Sequence, residues 1–193
     1  MRERLLDAAI DCLYELGYSG TTTIEVAARA GVSRGAQLHH FPTKEHLVTL
    51  AVRHVLTKRL DEFRAAFVAL PEGTDKHTAA ISILWEMMSS RTFYAWLELV
   101  VAARTDAGLR ATIAAIDGQF VDQARATTLE FFSPVPGRER SFETNPLFAL
   151  AMLQGLALDR IVWGADDPRI GELLRKMKVV AAMGSVAKPP TPK

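Results

Sequence analysis

The amino-acid sequence predicts an all-α protein. Apolar residues recur at the three- and four-residue spacing of a helix over most of the 193 residues. No segment shows a convincing run of the alternation that marks a half-buried strand. Glycine and proline cluster between the periodic stretches, where they end helices. Because 49% of the residues are hydrophobic, the chain can bury a core, and disorder is excluded for most of its length.

The first predicted helix carries an apolar stripe and ends at Gly17. The stripe consists of Leu5, Leu6, Ala9, Leu13 and Leu16. Cys12 lies on the same face, so we expect a buried structural thiol. A single cysteine cannot form an internal disulfide, which fits a reducing cytoplasm. The N-terminus lacks the apolar region of a signal peptide, and no apolar run reaches the roughly 20 residues of a membrane span. We therefore expect a cytoplasmic protein that does not cross a membrane.

Residues 17–44 differ from the rest because the predicted helices there are short and their start signals are clear. Thr22 and Glu25 fit a capping box, in which each side chain meets a free backbone amide. Gly31 can take a left-handed turn, and Ser33 is a good N-cap for the next helix. Pro42 stops that helix because it disfavours a helical residue before it. Two short helices joined by a three-residue turn predict a helix-turn-helix.

The remaining helices follow from periodicity and from loop signals. They are predicted over residues 43–70, 77–104 with a break near 89–91, 107–132, 146–163 and 168–183. The connections at 71–76 and 133–145 are predicted loops, and residues 185–193 are a predicted disordered tail.

The segment TTTIEVAARAGVSRGAQLHHFPTKEHLV, residues 21–48, resembles the DNA-binding segment of the TetR family of transcriptional regulators. The shared features are the paired threonines, Ala-x-x-Ala-Gly-Val-Ser at the turn, His-Phe after the second helix, and Lys-x-x-Leu opening the next helix. A weaker resemblance covers LELVVAARTDAGLRATI and LQGLALDR. The resemblance implies a three-helix DNA-binding domain over residues 1–48 and a helical ligand-binding and dimerisation domain over 49–184.

The same resemblance implies a ligand-responsive regulator that works as a homodimer. Its DNA partner would be a double-stranded, palindromic operator, because two identical reading helices meet two half-sites. The commonest mode in the family is repression, with release from the operator when a small apolar or amphipathic effector binds. No cofactor and no metal are expected.

In such a motif the second helix, here residues 34–41, lies in the major groove. Arg34 is the best candidate for base readout, because a guanidinium grips guanine O6 and N7; the alternative is a phosphate contact. Gly35 and Ala36 allow close approach, and Gln37 can pair with adenine. The predicted DNA-binding residues are Thr22, Thr23, Ser33, Arg34, Gly35, Ala36, Gln37, His39, His40 and Lys44.

Backbone contacts are expected from the threonines, the histidines and Lys44, whose place at a helix N-terminus favours a phosphate. Adjacent helical residues point about 100° apart, so His39 and His40 are not expected to share a metal. The family commonly has Leu-Tyr where this chain has Gln37-Leu38, with the leucine packed inward. Two interpretations follow: the helix is slightly rotated, or Leu38 takes over the packing.

Aromatic and methionine side chains in the second half are candidates for an apolar ligand site, because they provide area and adaptability. The alternative for each is core packing. Glu98 has three open roles: binding a polar ligand group, pairing with a buried arginine, or facing solvent. The candidate ligand residues are Trp85, Met88, Phe93, Trp96, Glu98, Phe120 and Met152.

Two other classes of function remain open at this stage. An all-α enzyme would need Glu86, Glu98 and His77 gathered in one cavity, although the sequence shows no nucleophile–base pair and no known catalytic motif. A ligand-independent architectural DNA-binding protein would lack a large apolar cavity in its second domain.

Overall fold

The computed structural model describes residues 1–183 and 185–187, which form nine helices and one short sheet. The helices are α1 (Arg2–Gly20), α2 (Thr23–Ala30), α3 (Arg34–His40), α4 (Lys44–Val68), α5 (Lys76–Met88), α6 (Arg91–Ala103), α7 (Ala107–Phe131), α8 (Glu139–Trp163) and α9 (Pro168–Met183). The strands are β1 (Phe132–Pro134) and β2 (Ser185–Ala187), which pair antiparallel. The predicted all-α class is confirmed.

The chain separates into two compact units. Unit 1 contains Met1–Arg59 and Ser89–Phe120, and unit 2 contains Leu60–Met88 and the chain from Val121 onward. This division does not follow the boundary predicted after residue 48, because α6 packs against α1 and joins the N-terminal helices. The separation of DNA binding (1–48) from ligand binding and dimerisation (49–184) stays a prediction about function.

The core of unit 1 is built around α1, which packs against α2 and α6. Leu5, Leu6 and Leu13 of α1 are completely buried. Val26 on α2 and Leu99 on α6 are buried as well. The predicted apolar stripe is therefore the core face of α1, except that Leu16 at its end is 44% exposed.

The core of unit 2 includes an aromatic cluster around Phe67. Its ring centroid lies 4.5 Å from that of Phe131, 5.5 Å from that of Phe132 and 5.8 Å from that of Phe63. Nearby, Arg64 donates to the Glu130 carboxylate at 2.9 Å, which joins α4 to α7. Helix α5 packs against α8 and α9.

Local start and stop signals largely match the observed helix ends. The predicted break near residues 89–91 separates α5 from α6, and the Ser90 hydroxyl accepts from the Phe93 amide at 3.4 Å. Gly17 has a φ of 68°, so the regular part of α1 ends there as predicted, although one further turn continues to Gly20.

The predicted loop 133–145 is only partly correct. Helix α8 begins at Glu139 and contains Pro146, because burying Phe142 outweighs the backbone hydrogen bond that proline removes. Residues 185–187 were expected in a disordered tail, yet they pair as β2 with β1. The Arg138 guanidinium also donates to the carbonyl oxygen of Met183 at 3.1 Å. The rest of the predicted tail, 188–193, lies outside the described residues.

Helix α8 contains a long apolar segment that the sequence analysis did not identify. Its segment Phe142–Trp163 has 22 residues and meets the length and composition criterion for crossing a membrane, contrary to our expectation of no such run. Only 22% of its most apolar window is buried in the chain itself. One such helix is weak evidence for a membrane span, because a mostly buried core helix and a signal sequence meet the same criterion.

The buried thiol of Cys12 provides a test of the packing of unit 1. Cys12 is completely inaccessible, and burial raises the pKa of its thiol. Since the thiolate is the reactive form, a maleimide should label the folded protein very slowly and the urea-unfolded protein rapidly. The measurement is labelling by mass spectrometry against urea concentration. Rapid labelling without urea would contradict the described packing of α1.

Candidate nucleic-acid interface

Backbone capping shapes the turn between α2 and α3. The Thr22 hydroxyl accepts from the Glu25 amide at 3.1 Å and starts α2. Gly31 takes the left-handed conformation, with a φ of 64°. The Ser33 hydroxyl accepts from the Ala36 amide at 3.2 Å and starts α3. These local hydrogen bonds fix the start of each helix and the turn of the predicted helix-turn-helix.

The first turn of α3 presents a small exposed surface around one cation. Arg34 and Gly35 are exposed, and Ala36 is half-buried. No atom lies within 4 Å of a Cβ built on Gly35, so packing within the chain does not require glycine there. The lack of a side chain therefore leaves room for another molecule to approach the backbone. Thr22 is exposed as well, and Thr23 is half-buried at the start of α2.

Both histidines near the end of α3 are exposed. Their ring centroids lie 5.5 Å apart, and the His40 ring also lies beside the buried ring of Phe41. Among the described residues, no group of three histidine, cysteine or acidic side chains is arranged to hold a metal. Backbone contacts from His39 and His40 stay predictions.

Gln37 does not point to the outer surface, which corrects its predicted pairing with adenine. Its side chain is completely buried, and its Nε2 donates to the carbonyl oxygen of Phe41 at 2.7 Å. Its Oε1 has no hydrogen-bond partner among the described residues. Leu38 is 43% exposed. Gln37 therefore takes the inward place that leucine holds in the family, and the interpretation in which Leu38 takes over the packing is wrong.

Lys44 is engaged with Tyr18 at the end of α1. Its ammonium group donates to the Tyr18 carbonyl oxygen and lies 4.0 Å from the centre of the Tyr18 ring. Partial burial lowers the pKa of Lys44. The predicted phosphate contact stays a prediction, and substituting Lys44 would disturb the junction of α1 with α4 as well as any contact with DNA.

Glu98 has a structural role that none of its three predicted interpretations included. Its Oε2 accepts from the Tyr18 amide at 3.2 Å, so the carboxylate of α6 closes the end of α1. A Cβ on Gly17 would lie 2.9 Å from the same oxygen. Glycine at position 17 is therefore favoured by its positive φ, and a Cβ there would also displace the Glu98 carboxylate.

A second contact between α6 and the N-terminal helices is an ion cluster around Glu15. Its carboxylate accepts from Arg29 on α2 at 2.7 Å and from Arg91 on α6 at 2.6 Å. These hydrogen bonds, that of Arg29 first, lower the pKa of Glu15. The Arg91 guanidinium also lies 4.7 Å from the centre of the Tyr14 ring. The Arg29 charge is thus paired within the chain, so Arg34 is the exposed cation of the helix-turn-helix that an acidic partner would meet.

The predicted ligand residues do not line the cavity that lies within unit 2. A cavity of about 100 Å³ lies in unit 2 among α5, α7, α8, α9 and β1. The side chains lining it include none of the seven predicted residues Trp85, Met88, Phe93, Trp96, Glu98, Phe120 and Met152. Four of these are buried in the core: Met88, Phe93, Trp96 and Phe120. Met152 lies instead along a separate groove between α8 and α9.

The cavity also bears on the proposed enzyme. His77 contributes to its lining, but neither Glu86 nor Glu98 does, so this cavity does not bring together the three groups that an enzyme would need. Sequence reasoning missed Asn145 and Thr128, which are the other residues of the wall with polar side chains. Asn145 stood in a predicted loop, which hid its position on a helix.

The exposed first turn of α3, held by its caps after a left-handed glycine, defines a helix-turn-helix protein. The family model of "Bacterial regulatory proteins, tetR family" matches residues 5–51. An HTH-type transcriptional regulator of Mycobacterium tuberculosis is 35% identical over 155 residues, which cover 77% of this chain and 75% of the relative. The chain therefore belongs to the tetR family of bacterial transcriptional regulators.

Solved structures of regulators share the fold. A transcriptional regulator from Rhodococcus sp. is similar with a TM-score of 0.67 and 29% identity, and the match covers 95% of both chains. The regulator FadR from Bacillus subtilis, solved with stearoyl-CoA, has a TM-score of 0.68 at 15% identity over 92% of this chain and 96% of its own. At that identity the second similarity concerns the fold alone.

The Gly17–Glu98 contact can be tested by stability. Gly17→Ala should lower the free energy of unfolding by about 1–3 kcal/mol, because alanine is strained at positive φ and its Cβ meets the carboxylate. The matched control is Gly118→Ala in α7, where a Cβ meets nothing within 4 Å. That change should raise the free energy of unfolding by about 0.5–1 kcal/mol. The measurement is urea unfolding, and equal effects of the two substitutions would argue against the special role of Gly17.

Proposed function

We propose that the protein is a cytoplasmic, homodimeric repressor that binds a palindromic operator through α3 and is released by a small apolar or amphipathic molecule. The observation that carries DNA reading is the exposed Arg34 at the first position of α3, next to two small residues. A guanidinium in this place can reach guanine O6 and N7 when the start of the helix enters the major groove.

The low net charge of residues 1–50 supports sequence-specific DNA binding rather than general electrostatic attraction to DNA. Residues 1–50 contain five Lys or Arg and six Asp or Glu, so their net charge is 5 − 6 = −1. Two of the five cations, Arg29 and Lys44, are engaged inside unit 1. Such a surface provides few phosphate contacts per subunit, so stable binding needs base contacts and two linked subunits.

Helix α8 offers a surface for the second subunit. Leu147, Ala151, Gly155, Leu158 and Val162 are all exposed and follow one another at spacings of four, four, three and four residues. Such a stripe lies along one face of a helix, and its small residues allow close approach of a neighbouring helix. Exposed Val179 and Met183 on α9 extend the apolar surface of unit 2. Regulators of this family act as dimers, and this surface is our candidate interface.

An enzyme and a ligand-independent architectural protein are weaker candidates. The acidic residues proposed for catalysis do not meet His77 at the cavity. The cavity itself favours a ligand-responsive protein over an architectural one. A ligand changes DNA affinity only through its different affinities for the free and DNA-bound states, which typically couple by about 1–3 kcal/mol. Operator DNA must then weaken ligand binding by the same factor.

The base-reading role of Arg34 can be tested with selected DNA. Arg34→Ala should weaken operator binding by about 1–3 kcal/mol and relax the preference at one base pair of each half-site. The matched control is Arg110→Ala, an exposed arginine on α7, which should leave both unchanged. The measurement is sequencing of the DNA that each purified protein selects from a random pool. If the Arg34 variant selects the same sequence, the side chain contacts only the backbone.

The dimer surface can be tested by placing a charge in the stripe. Leu158→Glu should convert the dimer to a monomer and weaken operator binding, because a buried unpaired carboxylate is costly and the half-sites would be bound singly. The matched control is Val101→Glu on α6, where the native side chain is 58% exposed. Mass in solution is measured by light scattering at several concentrations. A Leu158 variant that stays dimeric would place the interface elsewhere.

A further inference from the structure

The cavity of unit 2 has an uncharged wall. The residues that line it include no aspartate, glutamate, lysine or arginine. Phe132, Phe142 and Phe148 provide aromatic surface, and Ile81 and Met177 provide aliphatic surface. Burying an ion in such a wall without a partner charge is strongly unfavourable. The wall therefore favours a neutral guest.

The cavity has one small polar region. The Thr128 hydroxyl already donates to the Ala124 carbonyl oxygen at 2.9 Å. The His77 ring lies against Phe132 with a centroid distance of 4.9 Å, and its Nδ1 is 3.8 Å from an Asp75 carboxylate oxygen. Among the described residues, no hydrogen bond engages the side-chain amide of Asn145. An amide can both donate and accept, so Asn145 is the wall group best suited to a ligand.

The size of the cavity limits the guest to about one ring. An apolar cavity of about 150 Å³ holds benzene. The present cavity of about 100 Å³ has Phe148 and Val180 in its wall, both about half exposed, so it is open to solvent on that side. A ring can therefore enter without unfolding the unit.

We propose that this cavity binds a neutral, mainly apolar molecule of about one ring that carries a single hydroxyl, carbonyl or amide group facing Asn145. The inference rests on the proposed function, because it names the chemical class of the effector. It assigns binding to Asn145 and the aromatic wall rather than to the tryptophans favoured by the sequence.

Three single-ring probes separate the contributions of the apolar ring, the neutral polar group and a charge to binding. Benzyl alcohol carries the neutral polar group, toluene lacks it, and benzoate replaces it with a charge. Titration calorimetry of the full chain should show benzyl alcohol binding at least about tenfold more tightly than benzoate. Asn145→Leu should weaken benzyl alcohol about three- to tenfold and leave toluene unchanged, because only the alcohol loses a hydrogen bond.

A substitution that fills the cavity tests whether the probes bind there. Ala80→Phe places a ring in the wall and should abolish binding of benzyl alcohol, whereas Ala115→Phe, at an exposed position of α7, should leave it unchanged. Equal binding of benzoate and benzyl alcohol, an Asn145→Leu effect that is the same for toluene, or full binding by a folded Ala80 variant would each overturn the proposal.

Operator binding is measured on the same preparations without probes. If the protein binds the operator but none of the probes, the proposed effector class is wrong and the proposed function as a regulator is retained. If the probes bind as expected and no selected DNA is bound, the proposed regulator fails and the cavity assignment stands.

Discussion

The arrangement of unit 1 depends on the two backbone hydrogen bonds made by Tyr18. Its amide donates to Glu98 of α6, and its carbonyl oxygen accepts from Lys44 at the start of α4. The positive φ of Gly17 turns the chain so that both contacts are possible. Three helices that are distant in sequence are therefore fixed at one residue. Because α3 ends only a few residues before Lys44, the position of α3, the proposed reading helix, depends on this junction.

The Glu15 cluster reinforces the same arrangement from the other side of the motif. The Glu15 carboxylate of α1 bridges an arginine of α2 and an arginine of α6, so α2 is tied to α1 and to α6. These groups are largely exposed, and such ion pairs contribute little to stability individually. Their value here lies in geometry: they orient α2 and leave Arg34 as the exposed charge at the turn. DNA binding by a surface with few available cations would depend on the placement of those side chains more than on general electrostatic attraction to DNA.

Local features of the structure could be predicted from the sequence, and distant contacts could not. Thr22, Gly31 and Ser33 act through atoms three or four residues away, so their roles follow from residue type and spacing. Glu98 and Lys44 act through Tyr18, which is 80 and 26 residues distant in the chain. Gln37 is a polar residue in an inward position, which residue type alone predicts to be exposed. The cavity wall and the core are built from the same types of apolar residue. Residue type therefore could not show that Phe142 lines the cavity and that Trp96 packs in the core.

The pairing of β1 with β2 has a consequence for the order in which the protein forms. Strand β2 follows every helix of the described residues, and its partner β1 contains Phe132, a wall residue of the cavity. The helix-turn-helix consists of neighbouring segments whose contacts close early during synthesis, because the N-terminal part of a chain emerges from the ribosome first. The β1 contact joins residues more than 50 positions apart and must wait for α8 and α9 to be made. The nascent protein therefore acquires its helix-turn-helix, the proposed DNA-reading segment, before the strand pair beside its cavity is complete.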